Sequence, residues 1–328
     1  MGPAGVLAKN RRDALRLAAT KGVKETKRMM EDAAADLRKR LAQVVTTGAG
    51  DDSFTAAQMR ATLAQVEEVV RDLTDDLKTT VVSQGVLAAT KGSEGVIDYL
   101  NRADRMFRGV GRQPLALKEA SMLDFATKRT EASILRRLSV NDQHPAQGGI
   151  LARYGTETIG EFEKVLQQAM IQKKPWAEVR LDLIQKSPFL QGSPMYWTER
   201  IVRTETIGAY NRSGWETTRK AQEALGDMLK ILCATFDNRT AADSYAVHGQ
   251  IRRVDEAFQT WQGLVQSPPA RPNDREIVVP HRMSWPIPAG LEWKTDGEVA
   301  ARWAYEGRRG SPPPRPKMTT VPLNQIGV

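Results

Sequence analysis

The sequence is poor in the residue types that most often build catalytic and metal centres. Its 328 residues include one cysteine and three histidines. The single cysteine, Cys233, excludes an intrachain disulfide and any cysteine-rich metal site, so we expect a protein of a reducing cytoplasm or of a particle assembled in one. Aromatic residues make up only 6%, which favours helices packed through Leu, Val and Ala over a large β-sandwich.

Long apolar runs and familiar catalytic motifs are also missing. No stretch approaches the ~20 apolar residues that a membrane span needs, and the N-terminus lacks the apolar segment of a secretory signal. We therefore expect no membrane partner. The chain has no glycine-rich phosphate loop, no H-E-x-x-H element and no nucleophile elbow. The sequence predicts a protein that is not an enzyme and that has no catalytic residues, no cofactor and no metal.

Positive charge is present in excess, and it is concentrated near the two ends. Of the net charge of +9, residues 1–50 carry +6, from 11 Lys and Arg against 5 Asp and Glu, and residues 251–328 carry +3. Basic ends fit sequence-independent contact with phosphates, although a solvated basic helix and a basic tail would have the same composition. The candidate DNA-contact residues are Arg11, Arg12, Lys24, Lys27, Arg28, Arg308 and Arg309.

The N-terminal half has the 3.6-residue periodicity of helices. It predicts one helix over residues 10–45, a second that contains the apolar stripe between Val66 and Val81, and a third over 115–138. The stripe is a narrow seam that could pair with a helix of the same chain or of another subunit. Glycine-containing segments at 92–95 and 109–114 predict turns.

The C-terminal half mixes helices with short strands. Helices are predicted over 157–172, 176–185 and 241–247, together with a long helix that begins after Ser193-Pro194 and ends at Gly226. Strands are predicted at 230–236 and 275–280. The segment 306–317 is rich in proline and arginine and should be extended or disordered.

These elements predict a mainly helical α+β protein. An elongated helical N-terminal half precedes a smaller α+β domain with a short sheet, and a disordered tail follows. The segment 141–149 is the predicted domain boundary. The predicted division is a helical, basic region over 1–145, an α+β domain over 150–295, and a Pro/Arg-rich flexible tail over 300–328.

Two histidines are the main candidates for a catalytic or metal-binding site. His248 and His281 both follow apolar segments that could pair, which would bring them near Asp237. Such a set could bind a metal or cleave phosphodiesters. In the alternative interpretation, which we favour, Asp237 and Arg239 form a turn and an ion pair, and His248 caps a helix.

A series of short motifs runs in order through the C-terminal half. The long helix carries an R-T-E element and a downstream Asn, a D-x-R-T element follows the first predicted strand, and a glycine and a P-H pair come later. The residues are Arg203, Thr204, Glu205, Asn211, Asp237, Arg239, Thr240, Gly249 and His281. In order and spacing this series resembles the Mu F-like head morphogenesis family, the minor capsid proteins of tailed phages. The resemblance covers about 90 of the 328 residues.

The sequence departs from that family at its cysteine positions. Ser244 and Ser284 stand where the pattern has cysteines that, with histidine, look like a metal site in cysteine-bearing relatives. Two hydroxyls in place of two thiolates would remove most of the affinity for zinc. We therefore predict loops held by hydrogen bonds and no zinc.

The resemblance implies a structural role in phage head assembly. Proteins of this family assist head morphogenesis and are thought to contact the portal protein and DNA. The implied partners are the portal protein, capsid or scaffold proteins and, non-specifically, phage DNA. The implied location is the virion, at the capsid interior or portal vertex, and the host cytoplasm during assembly. The alternative function is a phage-borne nuclease or effector that uses Asp237, His248 and His281.

Overall fold

The computed structural model describes most of the chain. The described residues are 13, 16, 18–43, 54–107, 119–139, 149–191, 195–236, 240–271 and 274–322. A short π-helical turn, Ala18–Gly22, leads into the first α-helix. The α-helices are α1 (Val23–Gln43), α2 (Ala56–Phe107), α3 (Glu119–Ser139), α4 (Ile150–Ile171), α5 (Trp176–Lys186), α6 (Met195–Leu225), α7 (Ala242–Val247) and α8 (Asp296–Tyr305). The strands are β1 (Met228–Cys233), β2 (Ile251–Arg253), β3 (Phe258–Thr260), β4 (Gly263–Val265) and β5 (Ile277–Arg282). The chain is therefore mainly helical α+β, with a small sheet in its C-terminal part, as predicted.

The chain forms two compact units, and each unit is discontinuous in sequence. The N unit contains residues 19–83 and 133–202, and the C unit contains 84–132 and 203–328 together with the described residues before 19. The predicted division at 141–149 does not coincide with this one. The physical reason is that α2, α3 and α6 each continue from the residues of one unit into those of the other, so no single loop separates the units.

The N unit has a core of aliphatic side chains from α1, α2, α4 and α5. The predicted seam of α2 is fully buried, since Val66, Val70 and Leu77 are each 1% exposed or less. The seam packs against a helix of the same chain. A Cβ added to Gly155 in α4 would lie 3.5 Å from the Val70 side chain. This contact favours the intramolecular pairing over pairing with another subunit.

In the C unit, α2 and α6 approach each other at backbone distance. A Cβ added to Gly92 would lie 2.2 Å from the carbonyl oxygen of Tyr210. Ser93 hydrogen-bonds Ser213, and Thr217 donates to the Ser93 hydroxyl at 2.9 Å. The predicted turn at 92–95 was wrong. Glycine occurs here inside a continuous helix because the neighbouring helix leaves no room for a side chain.

A three-stranded antiparallel sheet of order β2–β1–β5 forms the second layer of the C unit. The central strand β1 and strand β5 are buried along their first five residues, which accounts for their nearly continuous apolar sequences. A buried cluster joins the sheet to α7 and to β3, the first strand of a separate hairpin of β3 and β4. Its members are Leu232, Val247, Phe258 and Val278, with Val265 packed against them.

Beyond β5 the chain forms a helix that was not predicted and then an extended segment. Helix α8 begins with a capping box in which Thr295 and Glu298 satisfy each other's backbone amides. Residues 306–322 contain no helix or strand. This segment contacts the body of the C unit: Ile251 donates its amide to Met318 O at 2.8 Å, and Val321 is 1% exposed. The segment 306–317 was predicted to be extended or disordered, and the structure describes it as extended.

None of the described helices is both long enough and apolar enough to cross a membrane.

Candidate functional site

The motif residues on α6 are buried, and Asn211 joins this helix to the sheet. Its Nδ2 donates to the carbonyl oxygen of Glu276 at 2.8 Å, and its Oδ1 accepts from the amide of Val278 at 3.3 Å. The Asn211 side chain thus satisfies two backbone groups at the start of β5. Trp215, one turn later on α6, bonds the chain just after β2: its indole N–H donates to Val254 O at 2.7 Å.

The R-T-E element lies earlier on the same helix. Glu205 is 2% exposed and Thr204 is 9% exposed, while Arg203 is half-buried. A buried carboxylate needs partners to offset its loss of hydration, and all three residues make polar interactions. Their burial fits a structural role within the fold.

The second motif falls partly outside the described residues. Asp237 and Arg239 are not described, so their predicted turn and ion pair stay a prediction. Thr240 is described and buried, and its hydroxyl donates to the carbonyl oxygen of Thr235. This bond closes the loop that follows β1.

His248 is held at both ring nitrogens. Its Nδ1 accepts from the amide of Ala234 at 3.1 Å, and its Nε2 lies 3.0 Å from the carbonyl oxygen of Gly290. A donor faces one nitrogen and an acceptor faces the other, so the neutral ring carries its proton on Nε2. Burial lowers the pKa of His248, which favours this neutral form. The residue is also the C-cap of α7, as the favoured interpretation predicted.

Gly249 occupies a position that only glycine fits. Its φ is +77°, and an added Cβ would lie 2.5 Å from Leu291 O and 2.7 Å from Cδ1 of Trp293. Trp293 donates its indole N–H to the carbonyl oxygen of Gly249 at 2.8 Å. The motif glycine therefore lets the segment before α8 lie against the chain that leads into β2.

His281 is fully buried in β5 and packs edge-on against Trp285 at a centroid distance of 6.3 Å. Neither of its ring nitrogens makes a well-formed hydrogen bond within the described part of the chain. Burial lowers the pKa of His281 to about 4, while the Trp285 backbone and the carboxylate of Asp227 oppose that shift. The ring is therefore neutral at pH 7.

The structure does not bring His248 and His281 together. The two apolar segments do pair, but they pair antiparallel, so His281 near the end of β5 lies opposite Leu229 near the start of β1. His248 bonds Ala234, beyond the other end of β1. Leu229 and Ala234 are five positions apart along the extended chain, which corresponds to roughly 16 Å. No single metal ion can be bound by both imidazoles at that separation.

The positions of the two serines are also far apart. Ser244 hydrogen-bonds Glu276 just before β5, whereas Ser284 lies in an exposed turn after β5. Zinc ligands from these two positions would not meet, and the residues present do not fit a zinc site. Among the residues that the structure describes, no group of three or more His, Cys, Asp or Glu is arranged to hold a metal ion.

A cluster of carboxylates that the sequence did not reveal lies at the Ser244 end of the sheet. Arg271 makes two bonds to Asp243, at 2.5 and 2.6 Å, and one to Asp274 at 2.7 Å. Burial raises the pKa of Asp274 and of Glu276, and their proximity raises that of Glu276 further. Two small, half-open pockets flank the cluster. Arg271 and Ser244 already bond these carboxylates, so the cluster is suited to holding neighbouring loops together.

A second feature that sequence reasoning missed is a buried lysine in β1. Lys230 is fully buried, and its ammonium donates to both the backbone oxygen and Oε1 of Gln266 at 2.9 Å. It also lies 4.8 Å from the ring centroid of Phe258 and 5.6 Å from that of Trp215. Burial lowers the pKa of Lys230 to about 7. The sequence signal that could have revealed this residue is a single charged side chain within an otherwise apolar run.

The candidate DNA-contact residues are solvent-exposed wherever they are described. Lys24, Lys27 and Arg28 lie on the exposed side of α1 in the N unit, and Arg308 and Arg309 lie after α8 in the C unit. Arg11 and Arg12 are outside the described residues.

The described motif residues are thus hydrogen-bonded or packed within the C unit, on α6, around α7 and in β5. Comparison of the chain with protein-family models, with curated proteins and with solved structures gives no match.

Proposed function

We propose that this chain is a phage head morphogenesis or minor capsid protein. It would act in head assembly and in DNA packaging or delivery, through contacts with the portal protein, with capsid or scaffold proteins and with phage DNA. It would reside in the virion, at the capsid interior or portal vertex, and in the host cytoplasm during assembly. The observation that carries the proposal is the ordered motif series from Arg203 to His281, which resembles the Mu F-like family.

The geometry of the described motif residues supports a structural use of that series. Asn211 bonds two backbone groups of β5, Gly249 allows a close backbone approach, and the Thr240 hydroxyl closes a loop. Each of these roles fixes the course of the chain. A rigid scaffold of this kind suits a protein whose work is to present surfaces to partners.

Exposed basic side chains support the DNA part of the proposal. Lys24 and Arg28 lie one turn apart on α1, and Arg309 is exposed after α8. A protein inside a DNA-filled shell meets phosphate at high concentration, so weak and salt-sensitive contacts are sufficient there.

The gene neighbourhood and a deletion test the assembly role. The proposal expects a portal gene directly upstream. Heads assembled by co-expressing portal, shell and packaging proteins should be fewer, or should lack DNA, when this chain is omitted, as counted by electron microscopy. Restoring the wild-type chain is the control. Normal numbers of DNA-filled heads without the chain would overturn the proposal.

The nuclease alternative has its own test. Purified protein would be incubated with DNA and RNA in the presence of Mg²⁺, Mn²⁺ or Zn²⁺. The assembly proposal expects no cleavage. Cleavage that is lost in a His248→Ala variant, with the fold retained by circular dichroism, would favour the enzyme, although His281 would have to act elsewhere than beside His248.

A further inference from the structure

The C-terminal end of α8 carries a surface of aromatic rings and arginines. Tyr305 is 70% exposed, and the guanidinium of Arg302 lies 4.5 Å from its ring centroid. The guanidinium of Arg308 lies 4.6 Å from the centroid of Trp303. We call this set of four residues the aromatic–arginine surface.

The aromatic–arginine surface is held in place by the surrounding chain. Glu306 is the shared partner of its two arginines, with Arg302 Nε at 3.7 Å and Arg308 Nε at 3.0 Å. The same carboxylate accepts the amide of Ala242, at the start of α7. Trp261, at the tip of the hairpin, packs edge-on against Trp303 at 5.6 Å and donates its indole N–H to Pro314 O at 3.1 Å.

The contact with Glu306 fixes Arg308 through one of its donors. A guanidinium has five N–H groups, and Glu306 takes the one on Nε of Arg308. Arg309 follows directly and is exposed. The two arginines of the surface and the adjacent Arg309 outnumber Glu306, so this part of the chain has a local excess of positive charge, which attracts a polyanion.

We propose that the aromatic–arginine surface binds single-stranded nucleic acid. A base stacks on the open part of the Tyr305 ring, and the guanidinium groups of Arg308 and Arg309 contact the adjoining phosphates. Aromatic rings and arginines combine in this way in proteins that bind single strands without sequence preference. A duplex offers the same phosphates but keeps the faces of its bases stacked on each other, so the ring favours the single strand.

The inference deepens the DNA-contact part of the proposed function, to which it adds a stacking residue and a preferred strand form, and it does not depend on the role in head assembly. The resemblance implied non-specific contact with DNA through charge, and it gave no part to tyrosine or tryptophan. The binding can be measured with the isolated full-length chain, so its failure would leave the assembly role untouched.

The test compares three anionic ligands by fluorescence anisotropy, of which the duplex carries about twice the charge of the single strand. They are a labelled oligodeoxythymidine, the same strand in a duplex with oligodeoxyadenosine, and a labelled heparin fragment that has charge but no bases. The wild-type chain should bind the single strand more tightly than either of the other two. Tyr305→Ala should weaken single-strand binding by about fivefold or more, the loss of one stacked base, and leave heparin binding unchanged.

Two variants separate stacking from disturbance of the surface. Tyr305→Phe keeps the ring and should bind the single strand like the wild type. Leu264→Ala removes another exposed apolar side chain, 71% exposed on the nearby hairpin, and should also have no effect. Equal affinity for the three ligands, or equal losses for the single strand and heparin in Tyr305→Ala, would overturn the proposal, as would a failure to bind the single strand at low salt.

Discussion

Replacing the buried Lys230 by methionine should stabilise the C unit near neutral pH. The side chain lies in the middle of a strand, where its ammonium bonds Gln266 and lies near two aromatic rings. Methionine has a similar length and carries no charge, so it can occupy the same space. The exposed Gln266 can hydrogen-bond water once the ammonium is gone.

The expected magnitude follows from the pKa of the lysine. Burial lowers that pKa from 10.5 to about 7, with Asp255 and Glu256 opposing the shift. A difference of about 3.5 units corresponds to about 5 kcal/mol, at about 1.4 kcal/mol per unit. Between pH 7 and 10.5 the unfolded chain holds the proton and the folded chain does not, so this contribution to stability rises with pH. Below pH 7 both states are charged and the full cost applies.

The difference between variant and wild type is the decisive quantity. The free energy of unfolding of Lys230→Met minus that of the wild type should be constant below pH 7. It should then fall by about 3 kcal/mol between pH 7 and about 9.5. Packing changes and lost hydrogen bonds add an offset that does not vary with pH. The slope therefore reports the ammonium alone.

Hydrogen exchange of the β1 amides under native conditions provides the assay, because it follows the C unit specifically. Lys220→Met is the matched control, since it removes a lysine that is 36% exposed in the same unit. A second measurement is the NMR titration of ¹³C-labelled lysine side chains, in which Lys230 should titrate near pH 7. A flat difference in stability from pH 6 to 9.5 would refute the reasoning.

Three further perturbations test other contacts. Gly92→Ala should destabilise the C unit by roughly 1–3 kcal/mol through overpacking. Gly160→Ala has open space around the new methyl group and should stabilise α4 by up to about 1 kcal/mol. Thermal unfolding and hydrogen exchange measure both effects. Asn211→Ala leaves two buried backbone groups unpaired and should cost about 1–3 kcal/mol in urea unfolding, and an unchanged midpoint would contradict the tie. Because the folded-state pKa of His281 is lowered to about 4, wild-type stability should be lost as pH falls from 6.5 to 4, by about 3 kcal/mol in total. His281→Leu should remove that dependence, and a retained acid slope would assign it to other groups.

Much of the fold could be predicted because local patterns decided it. The amphipathic stripe of α2 and the apolar runs of β1 and β5 were read correctly as helix and strands. Gly226 ended the long helix as expected, with a φ of +75°. The fold class followed from these elements.

The errors arose where tertiary contacts decided the outcome. Gly92 lies within a helix because the backbone of Tyr210 passes beside it, and no local pattern shows that neighbour. A meeting of His248 and His281, the interpretation that we did not favour, would require the ends of two paired segments to coincide, and antiparallel pairing places them at opposite ends. Direction of pairing depends on the connection between strands, which short motifs do not reveal.

The candidate site divides in the same way. The motif series singled out Asn211 and Gly249, but it did not predict that Asn211 bonds β5 or that Gly249 lies against Leu291 and Trp293. The partners of Asp243 could not be predicted, because Arg271 reaches it from a loop that is distant in sequence. The ring–guanidinium contacts at the C-terminal end of α8 were missed because that helix itself was not predicted, although its capping-box residues Thr295 and Glu298 were available as a start signal.

The discontinuity of the C unit has a consequence for how this protein can be made and dissected. Ser93 and Ser213 touch although they are 120 positions apart in the sequence, so translation must reach this part of α6 before the contact can form. Until then, residues 84–107 leave the ribosome without their packing partner. An expression fragment that starts at residue 203 would lack the helix that covers Tyr210 and Thr217, and should be insoluble or poorly folded. Supplying residues 84–132 from a second plasmid, or moving them by circular permutation, should restore a soluble product.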